Sequence, residues 1–396
     1  MKLINQIRVV LNKPFFSDYR TLMVLWLILP VIAGLIKLEK HTNFVMYRYA
    51  FLHLTELSTL YATCKEYADV NHYGPFLGVV MAPFAVVPEK VGLMLWLIAL
   101  SASLFFAIRK LMMRKQQQIF IYWFCAFELL AVLLMQQFSV ALTAIIIATY
   151  YFADDEDDFW AAFFIVLGTM IDFRGIVGLA FILFSKDRVK FLFFVVVWAA
   201  LLLALTMVLT DPEYIVSQYL EWWRELTTQG TETVLAGMQV QSGSLLAMIR
   251  NVTQCATYSD LWIVAGGLIL FFLPYFRVKQ YYYSAFRFTL LASVLIFVVL
   301  FSPGNESGLS VIALVGVAIW YVAAPWKRSK ADVALLVFTY VVTVVLSAGL
   351  RLRLFSLECI PPYLSAFPYV LVWLKLCYEI CRRSYARLDI QNYWKQ

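Results

Sequence analysis

The stretch "VGLMLWLIALSASLFFAIRKLMMRK" (residues 91–115) decides the class of this fold. Residues 91–108 are uncharged and mostly apolar, and Arg109, Lys110, Arg114 and Lys115 follow at once. As an α-helix, such a run rises ~27 Å, close to the ~30 Å hydrocarbon core of a bilayer. The basic cluster at its end is the kind that stays on the cytoplasmic side of a membrane.

Working outward, comparable apolar runs lie at 21–37, 119–136, 138–153, 190–210, 261–277, 283–302, 308–325, 331–349 and 364–380, with a shorter pair at 159–171 and 175–185. Across 396 residues 63% are hydrophobic and 14% charged, which excludes an ordinary soluble domain. Barrel strands would alternate in hydropathy, and these runs do not. The expected fold is therefore an all-α polytopic membrane protein of about twelve transmembrane helices. No internal repeat or low-complexity tract divides the chain, so residues 1–396 read as one integral membrane domain.

A net charge of +7 would suit a nucleic-acid partner, but the basic residues lie in short loops between apolar runs. "RKLMMRK" (109–115), "KDRVK" (186–190), "WKRSK" (326–330) and "CRRSYAR" (381–387) read as topological anchors, so the expected partner is the lipid bilayer and not a nucleic acid. Placed on one face, they put both termini in the cytoplasm and leave two long outside segments, 38–90 and 211–260. The acidic run "DDEDD" (154–158) falls on the basic face, where acids carry little topogenic weight. The six cysteines and three histidines match no metal motif, and no cofactor is expected.

The first outside segment collects scarce polar groups. All three histidines, His41, His53 and His72, lie within it, the last in "YADVNHYGPF" (67–76). Residues 44–61 carry Phe44, Tyr47, Phe51, Leu54 and Tyr61 at helical spacing, with Tyr49, His53 and Glu56 on another face. That pattern predicts an amphipathic helix lying along the interface. The run "FLGVVMAPFAVV" (76–87) is short and holds Pro83, so it predicts a re-entrant or interfacial helix.

The order "LY" (60–61), an acidic residue, "YGP" (73–75) and "APFAVVP" (82–88), followed by a Trp-containing span, resembles bacterial glycosyltransferase family 87. "FELL" (127–130), "MQQFSVA" (135–141), "GIVGLAF" (175–181) and "PEYIVSQYLEWW" (212–223) extend the likeness over most of the chain. The resemblance implies a GT-C-type fold with a structured first outside loop. It implies transfer of a hexose, typically mannose, from a polyprenyl-phosphate donor to an envelope glycan or glycolipid at the outer face of the inner (plasma) membrane. A loop carboxylate would take the acceptor proton, and cations would stabilise the departing polyprenyl phosphate.

The family's usual aspartate position reads "TNF" (42–44), with Asn43 in its place. Asn43 can orient a hydroxyl or a phosphate but has no useful basicity. The base then falls to Asp69 or Glu56, with His72 and His53 beside them. Arg48 and Arg174 are the phosphate candidates, although Arg174 could equally pair with Asp172. Glu128 and Gln137 either hydrogen-bond between helices or face substrate. Tyr73, Glu221 and Trp222 are candidate sugar contacts, while Trp222 also suits a plain interfacial anchor. Two other classes compete: a lipid-linked sugar transporter or flippase, and a polysaccharide polymerase or ligase. A transporter predicts paired broken helices in two halves, and only one such pair is visible.

Overall fold

The computed structural model describes residues 14–62, 67, 71–235, 243–253, 261–302, 308–346 and 362–386, and no strand occurs among them. Its helices are α1 (Tyr19–Lys37), α2 (Thr42–Glu56), α3 (Phe76–Ala85), α4 (Glu89–Lys110), α5 (Lys115–Leu134), α6 (Ser139–Asp154) and α7 (Asp158–Ile171). A 3-10 helix spans Phe173–Phe184, followed by α8 (Arg188–Leu209), α9 (Pro212–Leu235), α10 (Leu245–Thr253), α11 (Leu261–Phe272), α12 (Ser284–Leu300), α13 (Ser310–Ala323), α14 (Lys330–Tyr340) and α15 (Ala366–Arg382). This is an all-helical membrane protein. Four of the described helices, α1, α4, α5 and α8, are long and apolar enough to cross a membrane unaided. The other apolar helices are shorter, so the count of twelve crossings is not reached on length alone.

Helix ends explain where the charges went. Asp18 caps α1 by accepting from Arg20 N at 3.2 Å, Asp157 caps α7 through Trp160 N at 3.3 Å, and Asp187 caps α8 through Lys190 N at 3.0 Å. Ser329 and Asp332 form a capping box on α14. Each cap satisfies an otherwise orphaned N–H and complements the positive helix start. The acidic run thus earns its place on the basic face, with Asp154 also held 2.5 Å from Arg287.

The short pair of spans is resolved as α7 and the 3-10 helix. Twelve residues in a 3-10 helix rise ~24 Å, where the same number in an α-helix would rise ~18 Å. The two arms cross closely: a Cβ on Gly175 would lie 2.3 Å from the carbonyl carbon of Gly168. Only glycine permits that approach.

Helices α12 and α13 pack against each other and are buried on nearly every side, which fits their unbroken apolar sequences. Around them, buried polar groups are matched. Ser310 Oγ, on α13, donates to Glu128 on α5. Arg328 pairs with Glu379 at 3.0 Å, and Trp320 Nε1 donates to the same carboxylate at 2.9 Å. Lys375 bridges Asp332 at 3.5 Å and Glu379 at 3.7 Å. This network fastens α13, α14 and α15 together.

Because the Arg328 and Glu379 side chains are 8% and 1% exposed, removing one partner strands the other charge. Arg328→Met is expected to cost ~3–5 kcal/mol of stability, with the Arg328→Met/Glu379→Met double variant recovering part of it. Thermal unfolding in detergent checks this, and a wild-type midpoint for Arg328→Met would refute it.

Candidate active site at one end of the bundle

The turn after α5 organises the polar end. Gln136 adopts φ 57°, and its side-chain oxygen accepts from Phe44 N at 3.1 Å. Asn43 Nδ2 donates to Met135 O at 2.7 Å. The position where the resemblance leads one to expect a base is therefore occupied by an amide that pins the start of α2 to the end of α5. The start of α6 is anchored nearby, where Ser139 Oγ donates to Gly308 O at 2.7 Å.

Helix α2 ends at Glu56, earlier than the expected residue 61, because Leu57 turns left-handed at φ 54°. His53 is a correction to the expected open face. It is buried at 7% exposure and packs between Tyr49 and Tyr67. The segment folds under the following turn, so two faces of α2 are covered and not one. Glu56 is exposed at the helix end. Asp69 lies outside the described residues, but Tyr67 and Asn71 on either side of it are buried, at 6% and 2% exposure.

The "YGP" turn is fixed from several sides. Asn71 Oδ1 accepts from Tyr73 N at 3.1 Å, and Tyr61 OH donates to Tyr73 O at 2.9 Å. Desolvation pushes the Tyr61 phenol well above its ordinary pKa, so it remains a donor. The Tyr73 hydroxyl reaches Gln137 Oε1 at 3.4 Å and accepts from Tyr47 at 3.3 Å. Gly74 N donates to Ile171 O at 2.8 Å, where a Cβ on Gly74 would lie 2.1 Å from Met170 O.

Helix α9 closes this end from above. Trp222 Nε1 donates to His72 O at 2.9 Å, Gln218 Oε1 accepts from Leu60 N at 2.9 Å, and Thr59 donates to Glu221 at 3.0 Å. His72 Nδ1 lies 3.7 Å from Glu225. Trp222 is thus a structural clasp on the turn as well as a candidate sugar contact.

Both arginines are in ion pairs. Arg174 grips Asp172 with two bonds, Nε to Oδ1 at 2.7 Å and Nη2 to Oδ2 at 2.5 Å, while Asp172 caps the 3-10 helix. Arg48 donates to Ala85 O at 3.2 Å and to Glu89 at 3.0 Å. Glu89 also meets His41 Nε2, whose Nδ1 faces Lys37 O at 3.1 Å. Sequence reasoning missed Glu89, which reads as a routine acid in the first turn of α4. Its partners, 48 and 41 residues upstream in the cases of His41 and Arg48, leave no local signal. The three histidines are not brought together: His41 meets Glu89, His53 sits among tyrosines, and His72 faces Glu225. Glu128 lies within the helix packing, fully buried.

An apolar cleft of about 440 Å³ runs from this end between α3, α4, α6 and α7. Val80, Phe84, Phe138 and Ile171 line one end, and Lys110 and Tyr151 the other. From Trp96 to Lys110, both in its wall, α4 rises ~21 Å. Arg48 donates to the carbonyl of Ala85, the residue after Phe84 in the cleft wall.

Residues 71–303 match the family model described as Glycosyltransferase family 87. That is more than half of the chain, and the chain belongs to this family. No curated protein matches the chain at a significant level.

The turn's fit to α7 gives a direct test. Gly74→Ala must displace backbone and not a flexible side chain, so a loss of ~1–3 kcal/mol is expected. The thermal midpoint in detergent measures it, and an unshifted midpoint would mean that the 71–74 turn is not seated on α7.

Proposed function

We propose that this family 87 glycosyltransferase moves a hexose, with mannose as the proposed sugar, from a polyprenyl-phosphate donor to an envelope glycan or glycolipid. The reaction is assigned to the outer face of the inner membrane, with both termini in the cytoplasm. The observation that carries this reading is the apolar cleft lined by Phe84, next to which Arg48 holds the carbonyl of Ala85. A polyprenyl chain matches the cleft's apolar walls. Arg48 sets a guanidinium at this corner for the leaving phosphate, with His41 on the other oxygen of Glu89. Arg174, tied to Asp172, is the second cation of the site.

The acceptor hydroxyl becomes acidic only as the new bond forms, so a weak, well-placed carboxylate suffices. Asp69 is our choice of base, supported by the burial of Tyr67 and Asn71 on either side of it. Asn43 cannot serve, since an amide has no useful basicity; its Nδ2 instead holds Met135 O. Glu221 and Trp222, with Tyr73 and Gln137 beneath, would face the acceptor sugar. Glu56 is the competing base.

Transfer from radiolabelled polyprenyl-phosphate mannose by the purified protein tests the assignment. Asp69→Asn is expected to lower turnover by about a hundredfold or more with folding intact, while Glu56→Gln stays near wild type. The reverse outcome would move the base to Glu56.

Arg48→Gln is expected to reduce turnover by roughly ten- to a hundredfold, with Arg48→Lys partly active. Undiminished turnover in Arg48→Gln would remove Arg48 from the phosphate site.

A further inference from the structure

The opposite end of the bundle holds a second and larger cleft. It has a volume of about 1420 Å³ and lies between α5, α12, α13 and α14. Ordinary small-molecule pockets enclose ~300–1,000 Å³, so this one suits a larger ligand. Gln117 lies in its wall, whereas Gln136 belongs to the polar end described above. From Gln117 to Leu134, the last residue of α5, the rise is ~26 Å. One donor molecule's headgroup cannot serve both places.

The walls change character with depth. Arg114, Lys327 and Arg328 stand at the mouth, and no acidic residue lines the cleft among the described residues. Arg328 is spent on Glu379, but Lys327 is exposed and unneutralised by any lining acid. Deeper in, Phe120 and Phe124 on α5 face Tyr321 and Tyr340. The rings are in contact, with centroids 5.3 Å apart for Phe120 and Phe124, 5.6 Å for Phe120 and Tyr321, and 4.9 Å for Phe124 and Tyr340. Tyr340 lies ~15 Å along α14 from its first residue. Cationic mouth and aromatic depth are thus separated by about the reach of a headgroup and the first part of an acyl chain.

A soluble anion would use the mouth and leave the aromatic walls uncovered. An uncharged lipid would cover the walls and set no negative charge against Arg114 and Lys327. Basic pockets between transmembrane helices on a basic face are a known way to hold acidic phospholipid headgroups. We propose that this cleft binds one anionic glycerophospholipid from the leaflet at the basic face. Its phosphate sits at Arg114 and Lys327, and its acyl chains lie against Phe120, Phe124 and Tyr340. The lipid seals the seam between α5 and α14.

Native mass spectrometry of the purified, delipidated protein titrated with phosphatidylglycerol, phosphatidylcholine or a polyprenyl phosphate tests this. Wild type should retain phosphatidylglycerol on the order of tenfold better than phosphatidylcholine, and its melting temperature should rise with the former alone. Arg114→Gln/Lys327→Gln should erase that preference, and Lys327→Glu alone should weaken it. Lys186→Gln/Lys190→Gln removes two charges from the same face outside the cleft and should leave the preference intact. Equal retention of the two phospholipids by wild type would overturn the proposal. So would a preference that survives in the cleft double variant or disappears in the distal one, or retention of polyprenyl phosphate without phosphatidylglycerol.

Discussion

Hydrocarbon offers no hydrogen bonds, so each polar group taken into this bundle must find its partner inside the protein. Glu128 is tolerable because Ser310 reaches it from α13, and Arg328 because Glu379 and two Trp320 contacts surround it. Asn43 and Gln136 exchange bonds with the backbone at the junction of α2 and α5. In each case the polar contact also fixes which helices are neighbours.

The same constraint separates what was legible in the sequence from what was not. Helix positions were read well, because an apolar run and its flanking charges are local facts. Residues 91–108 became Glu89–Lys110, and 283–302 became Ser284–Leu300. Pairings across the chain were not legible. Glu89 lies in a helix's first turn, a place where acids are common, yet it gathers Arg48 and His41 from a preceding helix. His53 was assigned to an open face because periodicity reports one stripe of a helix. The turn that covers the other stripe comes from residues beyond that window.

Family membership and geometry speak to different parts of the molecule. The matched region, 71–303, begins at the turn carrying His72 and Tyr73 and takes in the cleft helices α3, α4, α6 and α7. Helix α2, with Asn43 and Arg48, lies before it. The departure at Asn43 therefore sits where the family model is silent, and the local chemistry there has to be read from contacts. Those contacts show a bracket and not a base. Glu89, in the first turn of α4, is itself held by Arg48 and His41.

The hairpin of α7 and the 3-10 helix has a consequence for the lipid around it. Its arms contain 14 and 12 residues and rise only ~21 and ~24 Å, less than the ~30 Å hydrocarbon core. A segment too short for its bilayer is accommodated by local thinning. The membrane beside this hairpin would dip, lowering the headgroup layer toward Asp172 and Arg174 at the hairpin's turn. A lipid phosphate arriving there would have less depth to cross.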